Sequence, residues 1–539
     1  MNKPFAITLE VGSSLLNKTG SWRTEKPVYV DRLPPCNNAC PAGENIQEWL
    51  YHAEEGNYEA AWRVIMRDNP MPSVMGRACY HPCESACNRE ALDEAVGIHA
   101  VERFLGDQAT KYGWTIEPGA DTGKRVMVVG AGPAGLSCAY HLRRLGHAVT
   151  LYDAGEKPGG MLRYGIPKYR LPREKLNADI GRIEEMGVTF QMKSRIDDIP
   201  AKMKEEDFDA CFVAVGAHGA RMVDIPGDAS VPVLDGVSVL RAVEDDAQTG
   251  LRGRVVVYGG GNTAMDVARS AVRLGARDVT VVTRGPRERM AAHVFEIEES
   301  VLEGVRLANL RSVSRIEDGA LVLEVNVASA EGTHATGEFE TLPADVLVLA
   351  IGQNAELDAL ADHEGLRIED GVVLVGKDMH TGIPGVFAGG DMVPSERTMT
   401  TAIGHGKKAA RHIDAFLSGV TYAKPPKAEV VGADMLNTWY YSDAPRTVQP
   451  ALEVIRRQSG FAEVLGDLDE DNALFEARRC MSCGNCFECD NCYGICPDNA
   501  ITKLGPGKRF EFKYDYCKGC GLCAAECPCG AIRMDAEAI

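Results

Sequence analysis

Ten of the chain's 18 cysteines fall between positions 480 and 527, and their spacing constrains the fold more than any other feature. The run C-x2-C-x2-C-x3-C-P occurs twice, as Cys486, Cys489, Cys492 and Cys496-Pro497, and again as Cys517, Cys520, Cys523 and Cys527-Pro528. Two such runs hold two [4Fe–4S] clusters, the fourth cysteine of each run ligating the other run's cluster. The expected sets are therefore Cys486, Cys489, Cys492 and Cys527, and Cys517, Cys520, Cys523 and Cys496. Zinc sites use separated pairs of ligands and have no need of two four-cysteine runs each closed by proline.

The length of 539 residues suits about three to five domains, at roughly 150 residues each. A net charge of −19 argues against a nucleic-acid partner, because phosphate backbones are met by basic surfaces. No segment approaches the roughly 18 apolar residues of a membrane span. The start, Met1 to Thr8, lacks the apolar stretch of a signal peptide. A cytoplasmic location is expected, where clustered C-x2-C spacing reads as metal binding rather than as disulfides.

Residues 1–120 alternate cysteine groups with helical pattern and are expected to form a helical iron–sulfur domain. Ile46 to Asp68, broken near Gly56 and ended by Asn69-Pro70, reads as a helical hairpin.

An α/β region follows. Arg125 to Val129 leads into Gly130-Ala-Gly132-Pro133-Ala134-Gly135, then a helical stretch, then Val149 to Asp153. Strand, glycine turn, helix, strand and acidic end make the dinucleotide fingerprint in its full context. The glycines let backbone approach a pyrophosphate at a helix N-terminus, and Asp153 can accept from ribose hydroxyls. The unit recurs at Val255 to Tyr258, Gly259-Gly260-Gly261-Asn262-Thr263, and Val279 to Val282. This copy ends in Thr283-Arg284, with Arg287 and Arg289 behind. Arginine can pair with a 2′-phosphate that an acid would repel, so NADPH is favoured over NADH. A solvated surface role for Arg284 is the alternative, and NADH use stays open.

Two strand-like runs end in small residues, at Gly216-Ala217 and at Gly352. Gly389-Gly390-Asp391, followed by Thr400-Thr401-Ala402, suits presentation of a carboxylate and backbone amides to a flavin. A plain N-capping role for Asp391 is the alternative. Residues 421–479 carry prolines and an acidic run and read as a traversing linker with short helices.

The paired fingerprints and the Gly-Gly-Asp segment resemble the two-dinucleotide-binding flavoproteins. Cys36-x3-Cys40-Pro41, Cys79-x3-Cys83-x3-Cys87, Gly159-Gly160-Met161 and Gly261-Asn262-Thr263 narrow the likeness. They resemble the small subunit of NADPH-dependent glutamate synthase and the N-terminal part of dihydropyrimidine dehydrogenase, over about residues 30–420. The resemblance implies FAD on the first fold and NADPH on the second, with the nucleotide domain (236–358) inserted in the flavin domain (121–235 and 359–420). A C-terminal α+β bacterial-type ferredoxin domain (480–539) would follow.

The family usually places a further C-x2-C ahead of Cys36, which this chain lacks. The resemblance puts Glu102 where dihydropyrimidine dehydrogenase uses a glutamine ligand, implying a cluster on Cys40, Cys79, Cys83 and Glu102. Cys36 and Cys87 are then two ligands short. Cys480 and Cys483 are unassigned and sit in a similar Arg-Cys-x2-Cys-Gly setting, so a fourth cluster on Cys36, Cys87, Cys480 and Cys483 is expected to bridge the chain ends. The alternative leaves Cys480 and Cys483 as free thiols. Cys138, Cys211 and Cys529 read as core or incidental thiols.

The expected activity is NADPH-dependent electron transfer through FAD and four [4Fe–4S] clusters, to or from a partner oxidoreductase, a large catalytic subunit or a soluble ferredoxin. No acid–base side chain is expected at the hydride step, where the protein aligns and tunes. The rivals are a glutamate synthase small subunit proper and a relay subunit with inactive nucleotide sites. A disulfide reductase is disfavoured because neither nucleotide fold carries C-x2-C.

Overall fold

The computed structural model describes residues 18–360 and 363–537. Residues 1–17, which include the start read above for a leader, and residues 361–362 and 538–539 lie outside the described residues.

The first fingerprint sits in a five-stranded parallel sheet ordered Val386–Ala388, Ala210–Val213, Arg125–Val129, Ala148–Tyr152 and Thr189–Gln191. Parallel strands covered on both faces read as continuous apolar runs, and Val126, Met127 and Val128 are fully buried. The second sheet, also parallel, is ordered Arg306–Asn309, Asp278–Thr283, Arg254–Tyr258, Val346–Leu349 and Val233–Asp235. All five of its strands precede Val386–Ala388 in the chain, so the second sheet is inserted within the first unit. A three-stranded antiparallel sheet, Arg311–Glu317, Ala320–Ser329 and Gly332–Pro343, extends from it.

The helices Ile46–Glu54 and Tyr58–Ile65 form the hairpin that the sequence predicts, turning at Gly56 with φ +74°. Two further helices, Pro72–Ala78 and Ile98–Tyr112, cross at glycines. A Cβ on Gly76 would lie 2.4 Å from the Arg103 backbone nitrogen, and one on Gly106 2.4 Å from that of Ser73. This contact brings the loop holding Cys79 and Cys83 against the helix that carries Glu102.

Residues 421–479 do more than traverse. The helix Glu470–Arg478 packs on Ile46–Glu54 and Ile98–Tyr112, with Ala473 and Ala477 in one apolar cluster with Trp49 and Leu50. The tail contains the hairpin Ile501–Lys503 and Phe510–Phe512, two short helices and the strand Ile532–Ala536. That last strand pairs antiparallel with Glu25–Tyr29, the first strand of the described residues. An unpaired strand would otherwise expose a row of backbone donors and acceptors. Among the described residues no helix is long and apolar enough to cross a membrane.

Candidate functional site

A cleft of about 490 Å³ opens between the two parallel sheets, within the range of roughly 300–1,000 Å³ common for ligand sites. The side formed by the first sheet is shaped by close backbone approach. Gly130 has φ +109°, and a Cβ on Gly135 would stand 1.8 Å from the Gly130 carbonyl oxygen. The helix Pro133–Arg144 therefore starts hard against the strand end, with Gly132, Pro133 and Ala134 lining the cleft. Gly130, Gly132, Pro133, Ala134, Asp153, Gly160, Met161, Gly390, Asp391 and Ala402 line this side, while Asn262 and Thr263 line the other. Gly135 lies beneath the turn, and Ala217 is buried beside the lining residues Gly216 and His218. Thr401 lies one position before the lining Ala402, Gly260 and Gly261 just before Asn262, and Gly352 just before the lining Gln353. A Cβ on Gly261 would meet nothing within 4 Å, which leaves that turn open to a ligand.

Asp153 accepts hydrogen bonds from the amides of Ala131 at 2.7 Å and Gly155 at 2.6 Å, fixing its carboxylate at the strand end. The helix Met399–Leu417 is capped by Thr398, whose hydroxyl accepts from the Thr401 amide at 3.2 Å. Asp391 is therefore not the cap; it lines the cleft, and burial raises its carboxyl. Arg284 and Arg289 are exposed and donate to the carbonyls of Thr333 and Ser329, at 3.4 and 3.0 Å, at the paired ends of two strands of the antiparallel sheet.

Two cleft residues, Arg170 and Tyr80, lie outside the sequence expectations. Arg170 spans the two nucleotide units, 2.9 Å from Asp266 and 2.6 Å from Glu296. Tyr80 reaches the cleft from the helical domain and stacks on His293 with ring centroids 5.0 Å apart. The place of Tyr80 between Cys79 and Cys83 is its signal in the sequence; Asp266 closes the motif that begins at Gly261, and Arg170 has no signal beyond its charge.

The structure gathers the expected ligands into four sets. Cys40, Cys79, Cys83 and Glu102 lie within electrostatic reach of one another. Cys36, Cys87, Cys480 and Cys483 line one small cavity. Cys486, Cys489, Cys492 and Cys527 form the third set. Cys496, Cys517, Cys520 and Cys523 line another cavity. Backbone amides aim at the sulfurs, including His81 on Cys79 at 3.3 Å, Ala500 on Cys496 at 3.3 Å and Ala531 on Cys527 at 3.3 Å. His81, Ser482 and Glu488 adopt the left-handed conformation that curls these loops.

The donor chemistry fits iron–sulfur clusters. Burial pushes the Cys79 and Cys483 thiols up to about 12, and it raises those of Cys36 and Cys83 well above the usual range. Buried thiolates this close together are stable only around a cationic core. Glu102 is buried, and burial followed by the Glu44 charge raises its carboxyl strongly. Asn69 donates to Glu102 Oε1 at 2.7 Å and to Glu44 Oε1 at 3.1 Å.

Three family models match successive parts of the chain. Residues 124–406 match the pyridine nucleotide-disulphide oxidoreductase family. Residues 31–114 match dihydropyrimidine dehydrogenase domain II, 4Fe-4S cluster, and residues 485–531 match the 4Fe-4S dicluster domain. The NADP(+)-dependent formate dehydrogenase subunit beta of Moorella thermoacetica is 34% identical, over 83% of this chain and 70% of that protein. The NAD-dependent dihydropyrimidine dehydrogenase subunit PreT of Escherichia coli K12 is 32% identical, over 71% of this chain and 91% of its own. Mycobacterium tuberculosis FprA in complex with NADPH superposes with a TM-score of 0.48 at 20% identity, covering 55% of this chain and 85% of FprA. The chain belongs to the pyridine nucleotide-disulphide oxidoreductase family, as an iron–sulfur flavoprotein oxidoreductase subunit with a 4Fe–4S domain on each side of its nucleotide-binding core.

Proposed function

We propose that this protein moves electrons between NADP(H), FAD and four [4Fe–4S] clusters, exchanging them with a partner oxidoreductase, a large catalytic subunit or a soluble ferredoxin. The observation that carries this reading is the continuity from cleft to tail. Tyr80 lines the cleft beside Cys79, and Cys79 Sγ stands 3.0 Å from Thr400 Oγ1, in the first turn of a helix that also lines it. Cys40 and Cys36 are joined by one helical turn, the Cys40 amide donating to the Cys36 carbonyl at 3.1 Å. Cys483 lies three residues before Cys486, and Cys492 four before Cys496. Each ligand set is thus a short covalent step from the next.

Bound FAD would supply two-electron hydride chemistry with a nicotinamide, and bound clusters one-electron transfer. The chain's own groups hold and orient. Gly130 and Gly132 admit the FAD pyrophosphate, Asp153 holds its ribose, and Asp391 with the adjoining helix start addresses the ribityl chain. Asn262 and Thr263 receive the nicotinamide nucleotide, whose 2′-phosphate pairs with Arg284 and Arg289. Cluster assembly on reduced thiols fits the cytoplasm.

Anaerobic addition of NADPH should bleach the flavin absorbance and raise [4Fe–4S] EPR signals, with NADH less effective. No bleaching by either nucleotide would favour a relay subunit with inactive nucleotide sites.

A further inference from the structure

The two cysteine runs of the tail are alike in spacing but not in surroundings. The amide of Ala531 meets Cys527 as that of Ala500 meets Cys496, each at 3.3 Å and four residues on. Two positions after the fourth cysteine the likeness ends, with Cys529 in one run and Asp498 in the other. Cys529 Sγ stands 3.8 Å from Cys527 Sγ and is 2% exposed. A cysteine that ligates iron has no proton to give, so in this contact the non-ligand Cys529 is the donor and Cys527 the acceptor. Asp498 has no proton to donate when ionised and pairs with Lys518 at 3.5 Å.

A second donor reaches the first set from the far end of the chain. Tyr29, in the strand that pairs with Ile532–Ala536, holds its hydroxyl 3.3 Å from Cys492 Sγ. Its ring stacks on Phe512 with centroids 4.7 Å apart, so its orientation is fixed by packing. Reduction adds negative charge to the cluster sulfurs, and donors aimed at them stabilise the reduced form.

We propose that Tyr29 and Cys529 raise the reduction potential of the cluster on Cys486, Cys489, Cys492 and Cys527 above that of its neighbour on Cys496, Cys517, Cys520 and Cys523. An electron arriving from the Cys483 side then rests on the inner cluster, and the outer one, whose Cys520 is exposed, carries charge chiefly when a second electron follows or an acceptor draws it. The step is a one-electron reduction with the flavin as donor and no proton uptake. The inference rests on the ligand sets proposed above.

The test is an EPR-monitored potentiometric titration of the full-length, cluster-loaded protein with Tyr29→Phe, Cys529→Ala and Cys529→Ser. Both Tyr29→Phe and Cys529→Ala should keep wild-type iron content and move the same one of the two tail steps to lower potential. The expected shift is about tenfold in the reduction equilibrium, about 59 mV for one electron. Cys529→Ser keeps a donor and should restore most of that shift. Unmoved steps, or equal movement of both, in iron-replete variants would overturn the inference. If the fully reduced wild-type protein lacks the spin-coupled signal of two neighbouring [4Fe–4S] clusters, the ligand sets fail first and the inference with them.

Discussion

Arg479 holds its guanidinium Nη2 3.1 Å from Asp93 Oδ1, and Arg89 Nη2 grips the other oxygen of that carboxylate at 2.7 Å. Arg479 directly precedes Cys480, and Arg89 lies two residues after Cys87. Asp93 therefore ties together the two stretches of chain that carry the proposed ligands Cys87, Cys480 and Cys483, 386 positions apart at the Arg479 contact. Arg479 also donates to Glu476 at 2.6 Å and to the Glu94 carbonyl at 2.6 Å, so the clasp is a network rather than a lone surface pair.

The clasp is acid-sensitive in a defined direction. Hydrogen bonds from Arg89 hold the Asp93 carboxyl well below the ordinary aspartate range. A depressed folded-state value means the contribution is complete above the unfolded value of about 3.9 and is lost as the pH falls through the folded one. Thermal melts across this window should fall less steeply for Asp93→Asn than for the wild type. Equal slopes would remove Asp93 from the account.

Arg284→Ala should raise the KM for NADPH about tenfold or more while leaving that for NADH within about twofold, because only the 2′-phosphate needs the guanidinium. Steady-state assays with both nucleotides check this. An equal rise for both would assign Arg284 to the strand end, where it meets Thr333.

Glu102 separates two outcomes. Glu102→Gln keeps an oxygen ligand beside Asn69 and should retain the iron while shifting one cluster to higher potential, since a negative charge is removed. Glu102→Ala should cost about four iron atoms per chain. Iron analysis and EPR distinguish these, and full iron in Glu102→Ala would exclude the carboxylate as a ligand.

Gly135→Val should abolish flavin binding, since even a Cβ would lie 1.8 Å from the Gly130 carbonyl oxygen and would push the helix start off the strand. The variant's flavin-to-protein absorbance ratio should fall at least tenfold.

Much of the layout is legible in local spacing. The glycine fingerprints, the Gly56 break and the tail runs are short-range patterns, and each lies where the structure makes a turn, a helix break or a tight cysteine-bearing loop. The Glu25–Tyr29 pairing with Ile532–Ala536 left no such mark, because a five-residue strand finds its partner through register and burial across the whole chain. Tyr29 was invisible as a donor for the same reason. Asp391 as a possible cap and residues 421–479 as a linker both depended on neighbours distant in sequence: Thr398 does the capping, and Ala473 and Ala477 fill a core built from Trp49 and Leu50.

The bridging cluster is the central claim, and iron stoichiometry of Cys480→Ala/Cys483→Ala tests it most directly. The account predicts a fall of about four iron atoms per chain from about sixteen, with flavin bleaching by NADPH and the coupled signal of the tail pair both preserved. An unchanged iron content in the double variant would contradict it.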